Sequence, residues 1–242
     1  MAIQSLIGNA RRFTTGHCIP VSGRLESPKL TIHFGPSSIQ RALYASCHRA
    51  SPTLTGAMSH MSEIQFASHK DELVARLIPL LQEIKDMTPG TEVEQWLNEK
   101  YGVESELYKS LARLMTLGVQ EGWAADTEIA GPRYRRSQVG APRAETYFFS
   151  ATAVLLDSTD NAQKDPESTI RAGYHLHPYG EINLVIPLNE GAALAGPNGW
   201  CYGGWTAPAP GSHHFPEVKG GAVISLTFLP AGRIAFDVKP QD

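Results

Sequence analysis

The chain is short of cysteine, of long apolar runs and, over its first sixty residues, of acid, and each shortage closes off a class of protein. Three cysteines, Cys18, Cys47 and Cys201, without any C-x-x-C pair give neither a disulfide framework nor a zinc ribbon. They suit a reducing cytoplasm. No uninterrupted apolar stretch approaches the roughly 18 residues that a membrane span requires, so no transmembrane helix and no membrane partner are expected. Glu26 is the single acid among residues 1–60, against six bases (Arg11, Arg12, Arg24, Lys29, Arg41, Arg49). The rest of the chain holds fifteen bases and twenty-three acids. An acidic body repels phosphate backbones, which removes nucleic acid from the expected partners.

What is present divides the chain in three. The first 57 or so residues have no sustained helical or strand period and are rich in Ser, Thr, Gly and Pro, the composition of disorder. Residues 1–60 are read as a leader of transit-peptide composition or as a mis-assigned start, with Met58 or Met61 as the true one; a chain beginning at Met61 should fold and keep any activity. Residues 61–125 read as a helical unit. Ser68 and Asp71 have capping-box spacing, Leu73, Leu77, Leu80, Leu81 and Ile84 share one face, and Pro79 is expected to kink or split that helix. Thr91 with Glu94 repeats the capping signal for a second helix, which carries Trp96 and Leu97 and ends at Gly102. A third follows at about 104–123, with a stripe of Leu107, Leu111, Leu114, Met115 and Gly118. Such a unit suits an oligomer contact, and hence a possible homo-oligomer, or a lid.

From Asp126 the pattern turns to Gly, Pro and Arg and then to β-rich runs at 145–156, 172–177, 181–188, 203–207, 222–229 and 233–238, separated by turn residues. Short strands without intervening helices predict a sandwich or a closed barrel over 126–242. Within it lies Gly173-Tyr-His-Leu-His-Pro-Tyr-Gly-Glu181. Side chains two apart on a strand share a face, so His175 and His177 can point inward together, and the turn at 178–180 can swing Glu181 beside them. Farther on, Pro210-Gly-Ser-His-His-Phe-Pro216 sets a turn entering a strand and offers His214, with His213 as its rival. Two or three imidazoles and a carboxylate form a site for Fe(II), Mn(II), Zn(II) or Ni(II). Tyr174 and Tyr179 flank the ligands and, with Glu181, are candidates for catalytic proton transfer.

The two histidine pieces resemble the motifs of the cupin superfamily, with H-x-H-x3-E intact, although Leu188 stands where that pattern has Gly and Val218 where it has Asn. The resemblance implies an α+β protein: a small N-terminal helical unit followed by a cupin-type antiparallel β-barrel, with His175, His177, Glu181 and His214 on a divalent metal. The run from Tyr174 to Asn183, with Gly204-Trp205, Pro210 to His214 and Gly220-Gly221, is more specifically similar to the 4-hydroxylaminobenzoate lyase family, bacterial proteins of nitroaromatic breakdown. That resemblance covers roughly 62–240. It implies a small aromatic substrate and a lyase that converts 4-hydroxylaminobenzoate to 3,4-dihydroxybenzoate with release of ammonia. For that substrate Arg133, Arg135 and Arg136 are the candidates to grip the carboxylate, and Trp200, Tyr202 and Trp205, around Gly203-Gly204, those to wall a slot for the ring, Trp205 foremost. Two other readings stay open on the residues themselves, an Fe(II) dioxygenase acting on a catechol or aminophenol and a non-catalytic small-molecule sensor.

Overall fold

The computed structural model describes residues 66–165, 167–236 and 238–239; the expectations for residues 1–60 lie outside them. Helix α1 (His69–Ile84) opens on Ser68, whose hydroxyl accepts the Asp71 amide, the capping predicted from sequence. Pro79 lies inside α1, which runs on through it. Helix α2 (Thr91–Tyr101) is capped by Gly90 without a side-chain bond, not by a Thr91–Glu94 box. The Glu94 carboxylate is spent elsewhere, accepting the Ala207 amide and the Asn198 side chain. Helix α3 (Glu106–Gln120) starts at Ser105 and buries Tyr108, Leu111, Leu114, Met115 and Gly118. Gly118 is needed there because the Trp123 ring lies where a Cβ would be, 2.6 Å away.

Among the described residues twelve strands follow: β1 (Thr127–Glu128), β2 (Tyr134–Gly140), β3 (Phe149–Asp157), β4 (Thr169–Arg171), β5 (His175–His177), β6 (Ile182–Pro187), β7 (Ala193–Gly196), β8 (Gly199–Cys201), β9 (Gly204–Thr206), β10 (Ser212–His214), β11 (Glu217–Lys219) and β12 (Ala222–Pro230). A single turn of helix, α4 (Thr159–Ala162), links β3 to β4. The strands form three antiparallel sheets, β1-β2-β3-β12-β6-β9, β4-β11-β7-β8 and β10-β5. The molecule is therefore α+β, and its hydrogen-bonded ladders are three separate sets. The segment expected as a strand at 233–238 makes one isolated bridge, Ala235 to Leu176.

Period-two alternation gives the six-stranded sheet two different faces. Leu155, Leu184, Ile186, Trp205, Ile224, Leu226 and Phe228 join the helices in one core. The intervening positions of the same strands, Val185 and Val223 with Leu156, join Leu194 and Val218 of the second sheet in another. Asn183, Ser225 and Thr227 share that second face, so the sheet turns its apolar side to the helices and a partly polar side to a cavity.

Candidate functional site

Strand β5 pairs with β10 in the register Ser212↔His177, His213↔Leu176 and His214↔His175. Residues directly opposed in an antiparallel pair share a face, so His175, His177, Ser212 and His214 point one way and His213 the other. His213 instead meets the Tyr174 hydroxyl. The three inward imidazoles stand nearly perpendicular to one another, with centroids 4.6, 5.0 and 5.1 Å apart. One nitrogen from each lies within 4.8 Å of the others.

Glu181 arrives by the turn at 178–180. The Gly180 amide bonds the His177 carbonyl at 3.2 Å and the Glu181 amide bonds the Pro208 carbonyl at 2.9 Å. At Gly180, φ is +80° and a Cβ would stand 2.9 Å from the Pro208 carbonyl oxygen, so only glycine allows this approach. Glu181 Oε2 comes to 3.2 Å from His177 Nε2. The carboxylate sits at the side of the imidazole cluster, outside the set of atoms that are all mutually close.

These donors fit a divalent cation. His175 Nδ1 bonds the Gly173 carbonyl at 2.9 Å, which puts its proton on Nδ1 and leaves the Nε2 lone pair for a ligand. His177 Nε2 and His214 Nε2 face each other at 3.3 Å, and His177 Nδ1 is buried with no hydrogen-bond partner. Burial, and then repulsion between neighbouring imidazoles, lowers His177 to a pKa of about 3 and His214 to about 4; burial also lowers His175. All three imidazoles are thus neutral at ordinary pH, the form that metal binding requires. Burial raises Glu181 to about 7, against the pull of an Asn183 hydrogen bond.

The cluster opens into a cavity of about 470 Å³ that His175, Glu181 and His214 share with Arg136, Asn183 and Phe236. Of the three arginines singled out from sequence, β2 directs only Arg136 here. Its guanidinium carbon lies 5.0 Å over the Phe236 ring, and that ring lies 5.4 Å from His175. Arg135, one residue away, turns to the other face, where its Nε is buried without a partner. Arg133 precedes the strand and pairs with Asp160.

Five further candidates are placed away from the cavity, Tyr202 among them as an exposed side chain. Trp205 is 1% exposed on the helix side of the sheet, where its indole donates to the Tyr101 carbonyl at 2.7 Å and stacks on Phe228. The same alternation that turns Asn183 and Val185 to the cavity puts Trp205, opposite Leu184, behind it. Tyr174 is one residue before His175 and so on the outer side, against His213 and Phe215. Tyr179 projects from the turn, half exposed. Neither Tyr174 nor Tyr179 lines the cavity; a different phenol, that of Tyr134 on the same face of β2 as Arg136, does. Trp200 lies under the Lys219 ammonium. Asn183, Tyr134 and Phe236 are cavity residues that sequence reading missed. The spacing Glu181-x-Asn183 was the available signal for the first; nothing local marked Phe236.

With this geometry established, the kinship of the chain is informative. Residues 75–236 match the family described as 4-hydroxylaminobenzoate lyase. A 4-hydroxylaminobenzoate lyase of Pseudomonas putida is 55% identical over 172 residues, 71% of this chain and 98% of that protein. The chain belongs to the 4-hydroxylaminobenzoate lyase family. A second lyase of that name, from Nocardioides sp. (strain LMS-CY), is 53% identical over 173 residues, 72% of this chain and 98% of that protein. A crystal structure of DMSP lyases overlaps 70% of this chain and 100% of its own at 12% identity, with a TM-score of 0.34, a likeness too slight to carry an argument. The family match begins inside α1 and ends at Phe236, so the helices and the aromatic neighbour of Arg136 are part of the shared unit.

Proposed function

We propose that this protein is a metal-dependent 4-hydroxylaminobenzoate lyase, built on a cupin-type barrel over residues 126–242 with the helices of 61–125 closing one face, and acting in the cytoplasm. The observation that carries the reading is the cavity itself. A guanidinium and a cluster of three imidazoles and a carboxylate lie at two places in one chamber, with the Phe236 ring between them. A benzoate with a para substituent presents a carboxylate and a reacting nitrogen across one ring in the same way.

The overall reaction takes up water: 4-hydroxylaminobenzoate and water give 3,4-dihydroxybenzoate and ammonia. As the N–O bond breaks, nitrogen gains two electrons and the ring loses two, so no outside oxidant is consumed. A divalent metal on His175, His177 and His214, with Glu181 beside them, would polarise that bond and acidify water. The protein's own residues do the rest. Arg136 can hold the carboxylate bidentately. Leu194, Val218 and Val223 give the ring an apolar wall and keep bulk water from it. Glu181 Oε2 faces the reacting end, and a carboxyl raised to about 7 can both accept and return a proton near neutrality.

Purified protein loaded with Fe(II), Mn(II) or Zn(II) should release ammonia and 3,4-dihydroxybenzoate one for one from 4-hydroxylaminobenzoate, without oxygen uptake. His177→Ala should abolish both products. Loaded protein that releases no ammonia, yet consumes oxygen while opening a catechol ring, overturns the lyase reading in favour of a dioxygenase.

A further inference from the structure

Behind Glu181 lies a polar row to which the reaction above assigns no part. Thr152, Thr227, Asn183 and Thr206 are successive register partners across β3, β12, β6 and β9, so their side chains share the cavity face. The Asn183 amide is pinned on both edges. Its Oδ1 accepts from Thr227 Oγ1 at 2.7 Å and Ser225 Oγ at 3.2 Å; its Nδ2 donates to Thr206 Oγ1 at 3.2 Å and to Glu181 Oε1. Asn183, Glu181, Thr206, Ser225 and Thr227 are all buried. Hydroxyl donors on one edge and a carboxylate on the other leave the amide one orientation, because a flipped amide would set its oxygen against the carboxylate.

We infer that Asn183 is a positioning residue for Glu181: by holding Oε1 it leaves the carboxylate a single working oxygen, Oε2, aimed at the imidazole cluster. The inference rests on the metal-centre reading. A carboxylate free to rotate would offer either oxygen, or both, at varying angles. One tied by a buried amide that is itself locked by two hydroxyls presents the same oxygen every time. Partners that orient a ligand in this way are worth roughly 10–100-fold in metal affinity or activity.

The test is a Co2+ titration of the metal-stripped protein, read by the visible absorption of the ion and by competition with a chromophoric chelator. Asn183→Ala should bind Co2+ about 10–100-fold more weakly than wild type, with an altered absorption band. Asn183→Ser keeps a hydrogen-bonding group for Ser225 and Thr227 but is too short to reach Glu181, and should behave the same with less loss of stability. Tyr108→Phe, which removes a buried hydrogen bond outside the cavity, should lower the melting temperature while retaining the wild-type spectrum and affinity. Wild-type protein that binds no Co2+ overturns the metal reading and this inference with it. Wild type that binds, alongside Asn183 variants of unchanged affinity and spectrum, overturns the inference alone.

Discussion

A guanidinium beside a half-exposed phenyl ring is a recognition element of definite character, and Arg136 can be tested apart from its neighbours. If its bond to the substrate carboxylate is equally strong in ground and transition states, Arg136→Ala should raise KM while leaving kcat nearly unchanged. A charged hydrogen bond is worth about 1.5–3 kcal/mol, so the rise should be roughly 10–100-fold. Arg133→Ala, which breaks exposed contacts with Asp160 and Asn161 away from the cavity, should change neither constant; steady-state kinetics on the two variants decides it. Tyr108 gives a second test at this scale. Its hydroxyl donates to the Val185 carbonyl at 2.8 Å, and burial holds the phenol above its ordinary pKa of 10.0. Above pH 10 the unfolded chain therefore loses that proton before the folded one does, and stability falls as pH rises. Tyr108→Phe should cost about 1–2 kcal/mol at neutral pH and show a shallower alkaline decline, read by urea denaturation at pH 8 and pH 11. How far such residues were legible depended on what fixes their direction. His175, His177 and Glu181 were legible because alternation along one strand and a glycine turn are local facts. His213 and His214 could not be separated, since adjacent residues exchange faces and only pairing with β5 chooses between them. Arg136 could not be told from Arg135 while β2 was read as a Gly, Pro and Arg segment with no strand pattern of its own.

Elements announce their interiors more clearly than their edges. The apolar stripes of α1 and α3 were readable because buried positions recur at helical spacing, although α3 buries Tyr108 and leaves Leu107, the expected first member of its stripe, only partly buried, and β3, β6 and β12 because they are long. The short strands β4, β7, β8, β10 and β11 have three or four residues each, too few to display a period. The junction between α2 and β9 was hidden for another reason: it is made by polar side chains reaching across more than a hundred residues. Strand β9 is the edge of the six-stranded sheet, with backbone groups left over on its outer side. Asn98 meets them as another strand would, accepting the Trp205 amide and donating to the Trp205 carbonyl, both at 2.9 Å. Glu94 takes the Ala207 amide at 2.9 Å. Gly204 permits this approach, for at its φ of +107° a Cβ would lie 2.4 Å from Asn98 Oδ1. Asn98→Ala should cost about 1–3 kcal/mol, both edge bonds being lost together. Asn98→Asp, which keeps only the acceptor, should fall between it and wild type in a thermal melt.

At the scale of the whole molecule, the division into helices and sheets that the sequence displays is a division of pattern, and the packing ignores it. Sequence reading placed the sheets and the cavity-bearing half together and left the helical unit a choice between oligomer contact and lid. The helices are in fact one wall of the core. Leu155, Leu184, Ile186, Ile224, Leu226, Phe228 and Trp205 are each no more than 6% exposed, and they share their core with the stripes of α1 and α3. Fully burying one such side chain is worth roughly 1.5–3 kcal/mol. Uncovering seven of them therefore costs about 10–20 kcal/mol, comparable to or above the 5–15 kcal/mol by which a domain is ordinarily stable. A fragment of residues 126–242 has every metal-ligand candidate, Asn183 and Arg136, yet it would present that whole face to water. It should accumulate as aggregate, or in solution bind a hydrophobic dye strongly and melt without a cooperative transition. Adding a peptide of residues 66–125 during refolding should restore the cooperative melt and, with it, Co2+ binding. A 126–242 fragment that is monomeric, melts cooperatively and binds Co2+ unaided would show that the sheets close their own core and that the helices serve some purpose other than covering it.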